Sequence, residues 1–116
     1  MARVLAFVPD LLFGSNVVGA LRASGHQVRL VSGLEDVSLG DTEVLVIDLT
    51  DDAETRIAAA QEALARAGGR LRTLAFFSHV DIDVRDAARA AGFDLVVPRS
   101  RMARAAGELV DQLAPS

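Results

Sequence analysis

The sequence contains no cysteine, no lysine, no tryptophan and no tyrosine. Without cysteine the chain has no disulfide, no thiolate nucleophile and no zinc site with sulfur ligands. The 12 basic side chains are all arginines, so any chemistry that needs a lysine amine is excluded. Only 4% of the residues are aromatic, so the core must be built mainly from Ala, Val, Leu and Ile.

The sequence also lacks long hydrophobic runs and a positive net charge. No apolar run reaches the about 18 residues of a membrane-spanning helix, and no basic, hydrophobic leader precedes the first apolar run. The net charge of −4 removes the general attraction between a basic protein and nucleic acid. A length of 116 residues is typical of one domain. We therefore expect a single cytoplasmic domain spanning residues 1–116, with neither a membrane nor a nucleic acid as its partner.

The segment 42–52 predicts the central element of the fold. Its run Val-Leu-Val-Ile at 44–47 is apolar and rich in β-branched residues, like a strand buried on both faces of a parallel sheet. Asp48 ends this run, and ligands of open α/β sheets bind outside the carboxyl ends of the strands. Asp48 is therefore the first candidate functional residue. An interpretation of equal weight gives it a structural role, in which it forms hydrogen bonds within the loop that leads to the next helix.

The rest of the chain alternates between strand-like runs and helical patterns. We predict the other strands at 3–8, 27–32, 71–77 and 94–97, each followed by a helix except the second. Segment 33–41 is too short for a crossover helix with its loops, so the second helix is predicted to be shortened or missing. The predicted fold class is a flavodoxin-like, three-layer α/β sandwich with a five-stranded parallel sheet in the order 2-1-3-4-5.

Capping residues predict where the helices begin. The predicted N-caps are Asp10, Asp51 with Glu54 at capping-box spacing, Asp81 or Asp83, and Ser100. Glu62 and Arg66 have the spacing of an exposed ion pair on one helix. Both histidines, His26 and His79, are predicted to lie on the surface. His79 stands between Ser78 and Asp81, but side chains so close in an extended loop diverge and do not form a catalytic triad.

Three segments stand at predicted strand ends: Ile-Asp-Leu around Asp48, Ser78 after the fourth strand, and Gly-Phe-Asp-Leu-Val-Val-Pro at 92–98. All three are similar to segments of response-regulator receiver domains. Asp48 lies in an Ile-Asp-Leu that resembles the Leu-Asp-Leu around the phospho-accepting aspartate of receivers. Ser78 falls where receivers have the Thr or Ser that senses the phosphoryl group. The sequence Gly-Phe-Asp-Leu-Val-Val-Pro at 92–98 resembles the receiver pattern Gly-Ala-Asp-Tyr-Leu-x-Lys-Pro. Together with the element order, the resemblance covers essentially the whole chain and implies a signalling or regulatory module.

The chain departs from the receiver pattern at the residues that assist phosphorylation. Receivers hold Mg²⁺ with two adjacent acidic residues after the first strand, where this chain has Val8-Pro9 with only Asp10 nearby. The receiver lysine is replaced by Val97, or by Arg99 if the loop is shifted. Phosphoryl transfer needs cations that offset the charge of the transferred group.

These departures imply a pseudo-receiver that is not an enzyme, is not efficiently phosphorylated and needs no cofactor. We therefore expect no bound Mg²⁺, and the two carboxylates that are candidates for binding one are those of Asp10 and Asp48. The degenerate phosphoacceptor site would consist of Asp48, Asp10, Ser78 and Arg99.

The resemblance also implies a contact surface. Receivers often bind partners through the face formed by their fourth helix, fifth strand and fifth helix. Arginine is enriched at protein interfaces, and we expect this face to bind a protein partner or a second copy as a homodimer. In this chain the face would carry Arg85, Arg89, Arg101 and Arg104.

Two other interpretations stay open. The acidic pocket predicted around Asp48 could serve a small enzyme, or a protein that binds a metal or a phosphorylated small molecule. Segment 13–29 also resembles the first helix and second strand of nucleotide-sugar epimerase-type Rossmann domains. A dinucleotide site needs a glycine-rich turn before that helix, and this chain has Val-Pro-Asp-Leu-Leu at 8–12.

Overall fold

The computed structural model of the chain describes residues 1–115. Within them the strands are β1 (Arg3–Phe7), β2 (Gln27–Val31), β3 (Val44–Asp48), β4 (Arg72–Phe77) and β5 (Leu95–Pro98). The helices are α1 (Leu11–Ala23), α2 (Ala53–Arg66), α3 (Ile82–Ala90) and α4 (Arg99–Leu113). No helix in this part of the chain is long and apolar enough to cross a membrane.

The strands form one parallel sheet in the order β2-β1-β3-β4-β5. β3 lies at its centre, with Val44 opposite Val4 of β1 and Asp48 opposite Phe76 of β4. Every residue of β3 is buried, because helices cover the sheet on both faces. The predicted fold class, a flavodoxin-like α/β sandwich with the strand order 2-1-3-4-5, is confirmed.

The helices divide into two layers, each with its own apolar core. α1 and α4 cover one face, where Phe13 and Leu21 of α1 meet Met102 and Leu109 of α4. α2 and α3 cover the other face, where the small side chains of Ala60, Ala63 and Ala88 pack against the sheet. The carboxyl ends of all five parallel strands therefore point to one edge, where the loops that follow β1, β3 and β4 meet the start of α4.

The link between β2 and β3 contains no helix, as predicted. Arg29 of β2 pairs with Leu5 of β1, so its side chain lies on the face of the sheet that the link covers. It donates a hydrogen bond from Nη2 to the Ser38 carbonyl (2.7 Å). Leu34 of the link is buried in the core on this face, so a short irregular link is enough to cover β2 here.

Arg66, the last residue of α2, also contacts the link between β2 and β3. Its guanidinium donates hydrogen bonds to the carbonyls of Leu34 (3.1 Å) and Val37 (3.4 Å). No ion pair joins Arg66 to Glu62 in residues 1–115, so that predicted pair is wrong. The carbonyls of the link, which lack helical hydrogen bonds, are better partners for the guanidinium than an exposed carboxylate.

Two of the predicted helix N-caps are confirmed. Asp10 Oδ1 accepts a hydrogen bond from the Phe13 N–H (3.0 Å) at the start of α1. Asp81 Oδ1 accepts one from the Val84 N–H (3.2 Å) at the start of α3. Both contacts join a cap to the third residue of its helix, and this short spacing is readable in the sequence.

The predicted caps of α2 and α4 are wrong. α2 has Asp52 at its N-cap position, in a left-handed conformation (φ 47°) that leaves the side chain without a capping bond. Asp51 instead accepts a hydrogen bond from the Asp52 N–H (3.0 Å). α4 starts directly after β5, with Pro98 at the N-cap position and Ser100 already inside the helix. No loop is left in which Ser100 could act as a cap.

The prediction that His26 lies on the surface is also wrong, because His26 is buried. Its Nδ1 accepts a hydrogen bond from the Ala2 N–H (2.9 Å), and its Nε2 lies 2.7 Å from Asp111 Oδ1. Since Nδ1 accepts, the proton is on Nε2, which donates to the carboxylate. His26 thus ties the amino-terminal end of β1 to the turn after α1 and to α4. His79 is exposed, as predicted.

Candidate functional site at the carboxyl edge of the sheet

Asp48, the last residue of β3, is 2% exposed. Its Oδ1 accepts hydrogen bonds from the Thr50 N–H (2.8 Å) and from the Thr50 hydroxyl (2.5 Å). Its Oδ2 lies 3.7 Å from Arg56 Nη1. Both carboxylate oxygens therefore have partners within the protein, and the Thr50 contacts shape the loop between β3 and α2. This is the structural role that the sequence left open beside a chemical one.

Arg56 is a residue of this site that the sequence analysis missed. Its Nη1 also donates a hydrogen bond to the backbone carbonyl of Asp48 (2.9 Å). The guanidinium carbon lies 5.7 Å from the ring centre of Phe7, at the end of β1. A signal was present, because Arg56 lies near the N-terminus of α2, where the helix dipole disfavours a cation. An arginine at such a position indicates an anionic partner nearby.

Asp10 lies in the loop after β1 and has two contacts of its own. Its Oδ1 caps α1, and its Oδ2 lies 3.5 Å from Arg99 Nη2. The hydrogen bond from the Phe13 N–H and the charge of Arg99 hold the pKa of Asp10 below its ordinary value. Arg99 also stacks on Phe13, with its guanidinium carbon 4.1 Å from the ring centre. Asp10 and Arg99 thus form a surface pair at the start of α1.

Ser78 follows β4 at the same edge and is half-buried. Its backbone carbonyl accepts a hydrogen bond from the Asp81 N–H (2.8 Å), which forms the turn into α3. The structure therefore brings the four predicted site residues to one edge but links them in separate groups. Asp48 is joined to Thr50 and Arg56, Asp10 is joined to Arg99, and Ser78 belongs to the turn into α3.

The carboxylates of this edge do not suit a Mg²⁺ ion. Mg²⁺ prefers an octahedral set of oxygen ligands. Asp10 and Asp48 each have one oxygen used by a hydrogen bond and the other next to a guanidinium group. Among residues 1–115, no three acidic or histidine side chains are grouped so that they could hold a metal ion.

The four arginines predicted to form a contact surface lie on the helices that flank β5. Arg85 and Arg89 are on α3, and Arg101 and Arg104 are on α4. Arg85 is partly exposed and pairs with the neighbouring Asp86 (3.1 Å). The other three side chains are exposed. The positions are those expected from the resemblance, while their use in binding stays a prediction.

Comparison with solved structures finds the same fold in response regulators. A response regulator from Thermotoga maritima superposes with a TM-score of 0.78 at 13% identity, with 97% of each chain covered. A receiver domain protein from Clostridium thermocellum gives 0.82 at 13% identity, covering 97% of this chain and 94% of the other. A receiver protein from Burkholderia phymatum gives 0.74 at 18% identity over the full length of both chains.

No protein-family model matches the chain, and no curated protein matches its sequence. The similarity to the solved structures therefore concerns the fold, since at most 18% of the residues are identical in these three.

Proposed function

Because the chain has the fold of response-regulator receiver domains, we propose that it is a receiver-like regulatory module that acts through protein contacts. We further propose that Asp48 is not efficiently phosphorylated, so that the module is a pseudo-receiver without enzymatic activity. The cytoplasmic location and the absence of a nucleic-acid partner stay predictions from the sequence.

The environment of Asp48 is the observation that carries this proposal. A carboxylate that accepts a phosphoryl group must reach the donor with one oxygen, and cations must offset the charge that develops. Asp48 is buried, with Thr50 bonded to one oxygen and Arg56 next to the other. Of the two predicted substitutes for the receiver lysine, Val97 carries no charge and Arg99 is paired with Asp10.

Treatment with acetyl phosphate and Mg²⁺ tests the proposal directly. We expect no phosphoryl adduct in the intact mass of the wild type, and no change in melting temperature with beryllofluoride and Mg²⁺. Asp48→Asn is the matched control, and we expect it to behave like the wild type in both measurements. An adduct or a thermal shift in the wild type that disappears in Asp48→Asn would show that the receiver chemistry is active.

The surface formed by α3, β5 and α4 is our candidate for the protein contacts. It carries Arg85, Arg89, Arg101 and Arg104 on the two helices. Exposed arginines on a chain with a net charge of −4 favour an acidic surface on the partner. A second copy of the chain can provide such carboxylates, which supports self-association as a homodimer.

A ligand-binding protein or enzyme that uses an acidic pocket at Asp48 has less support. Such a function needs a carboxylate that is free to bind a metal or to move a proton. Asp48 is 2% exposed, and its carboxylate already accepts hydrogen bonds from Thr50 at one oxygen and has Arg56 3.7 Å from the other.

A further inference from the structure

A groove with a volume of about 450 Å³ lies between α2 and α3, on the face opposite α1 and α4. Its apolar floor and walls come from alanines of both helices together with Ile57 and Val84, which are half-buried. Because most of these side chains are small, the two helices leave space between them. The lining residues are Ala53, Glu54, Ile57, Ala58, Gln61, Asp83, Val84 and Ala87.

Carboxylates surround one end of this groove, where both helices begin. Glu54 and Asp83 line it, Asp51 and Asp52 precede α2, and Asp81 caps α3. None of the five forms an ion pair within residues 1–115. Arg56 does not neutralise them, because its side chain is 13% exposed and directed at Asp48. The helix dipoles favour acidic residues at these positions, but five unpaired carboxylates leave a strongly negative end.

Two large apolar side chains are exposed where the chain enters α3. Val80 and Ile82 stand on either side of Asp81 in the chain and are 75% and 53% exposed. Neither side chain lines the groove, whose apolar surface comes from its own alanines with Ile57 and Val84. The groove and its surroundings thus combine apolar surface with an excess of negative charge.

From this combination we propose that the α2–α3 groove binds an amphipathic helical segment of a partner protein. Apolar side chains of the segment enter the groove at the spacing used in helix-in-groove recognition. Arginine or lysine side chains at one end of the segment face the carboxylates at the end of the groove where both helices begin, and this pairing sets the direction of the segment in the groove. The α2–α3 groove is distinct from the surface of α3, β5 and α4. The groove would bind a basic partner, whereas the arginine-bearing surface would bind an acidic one.

A pair of synthetic helical peptides tests this proposal with the full chain. Both have leucines at positions i, i+3, i+4 and i+7, and one carries lysines at one end where the other carries glutamates. We expect saturable binding of the lysine peptide to ¹⁵N-labelled protein, with chemical-shift changes concentrated in α2 and α3. The glutamate peptide should bind at least about tenfold more weakly. Absence of saturable binding at millimolar lysine peptide, equal binding of both peptides, or shifts centred on other elements would overturn the proposal.

Variants that fill the groove test whether the peptide binds in the groove or is attracted to the protein without a specific site. Ala58→Gln with Ala87→Gln places two longer neutral side chains at exposed helix positions, so we expect the fold to persist and saturable binding to be lost. Ala23→Gln, at an exposed position of α1, is the matched control and should bind like the wild type. Thermal melts of each variant confirm that it is folded. Full binding by the filled variant contradicts the proposed site.

Neutralising two carboxylates at the acidic end of the groove tests whether charge contributes to binding. Glu54→Gln with Asp83→Asn should weaken binding of the lysine peptide roughly fivefold to tenfold, as expected for two partly screened ion pairs. Glu62→Gln with Glu108→Gln removes the same number of charges from exposed positions that do not line the groove. An equal loss of affinity in both double variants would mean attraction by net charge alone and would overturn the proposal.

Discussion

Asp48 and Arg56 stabilise each other at positions that neither would favour alone. A carboxylate with 2% exposure has lost most of its hydration, which is costly unless hydrogen bonds and an opposite charge replace the water. Arg56 is placed against the positive end of the α2 dipole, which is unfavourable for a cation. The ion pair and the hydrogen bond to the Asp48 carbonyl offset both costs.

Removing the guanidinium of Arg56 should therefore destabilise the protein. We expect Arg56→Met to lower the free energy of unfolding by roughly 2–4 kcal/mol, because Asp48 loses its opposite charge and its carbonyl loses a donor. Urea denaturation measures the change. Arg70→Met, at an exposed position, should stay within about 0.5 kcal/mol of the wild type. Arg56→Met combined with Asp48→Asn should cost less than the sum of the two single changes. Additive effects would mean that the pair is not coupled.

The residue contacts that the sequence predicted correctly are local ones. Asp10 and Asp81 each cap a helix through a residue three positions later, so the contact is contained in a short motif. His26 could not be placed, because its partners Ala2 and Asp111 are 24 and 85 positions away. Nothing in the short Gly-His turn identifies such partners. Arg56 had a local signal in its unfavourable helix position, but its contact with Asp48 depends on the shape of the intervening loop.

At the scale of elements, the packing of α1 against α4 depends on one glycine. A Cβ atom built on Gly107 of α4 would lie 2.0 Å from Ser24 Oγ and 2.9 Å from Ser24 Cβ, at the C-cap of α1. The hydroxyl could rotate away, but the Cβ is fixed to the backbone. The two helices can therefore approach this closely only where one of them lacks a side chain.

Substitution of this glycine reverses the usual effect of alanine in a helix. Alanine normally stabilises a helix relative to glycine by about 0.5–1 kcal/mol. We expect Gly107→Ala to destabilise the protein by roughly 1–3 kcal/mol in a urea titration, because the helices must move apart. Gly19→Ala in α1 is the matched control and should be stabilising, since within residues 1–115 a Cβ there would meet nothing within 4 Å beyond the adjacent backbone of its own helix. Adding Ser24→Gly to Gly107→Ala should restore stability, and failure of this rescue would contradict the steric explanation.

The strands could be predicted more accurately than the ends of the helices. β3 and β1 were readable because uninterrupted β-branched and apolar runs are required of strands buried on both faces. The missing helix after β2 followed from the length of the link. The starts of α2 and α4 were mispredicted for conformational reasons. Asp52 adopts a left-handed conformation, and β5 continues into α4 through Pro98 without a loop.

At the scale of the whole molecule, charge is separated between two surfaces. The helix starts around the α2–α3 groove carry unpaired carboxylates, whereas exposed arginines occur on the helices beside β5. Within residues 1–115, β5 is an edge strand that pairs only with β4. Edge strands in monomers are usually protected from pairing with other chains by charged residues or by a covering segment. Arg89 on α3 and Arg101 on α4 lie on the elements that flank this edge, where they either protect it or bind a partner.

Charge reversal distinguishes these two roles. If the surface of α3, β5 and α4 mediates self-association, Arg89→Glu with Arg101→Glu should shift the protein to monomer in sedimentation velocity at concentrations where the wild type associates. The reason is that the variant places carboxylates where the wild type binds acidic groups of the second copy, and like charges facing each other across an interface cost several kcal/mol. Arg22→Glu with Arg70→Glu produces the same change of net charge at exposed positions outside this surface, and should associate like the wild type. If the wild type stays monomeric at all concentrations and the variant does too, self-association through this surface is refuted. If instead the Arg89 and Arg101 variant associates more strongly than the wild type, the arginines protect the β5 edge and do not bind a second copy.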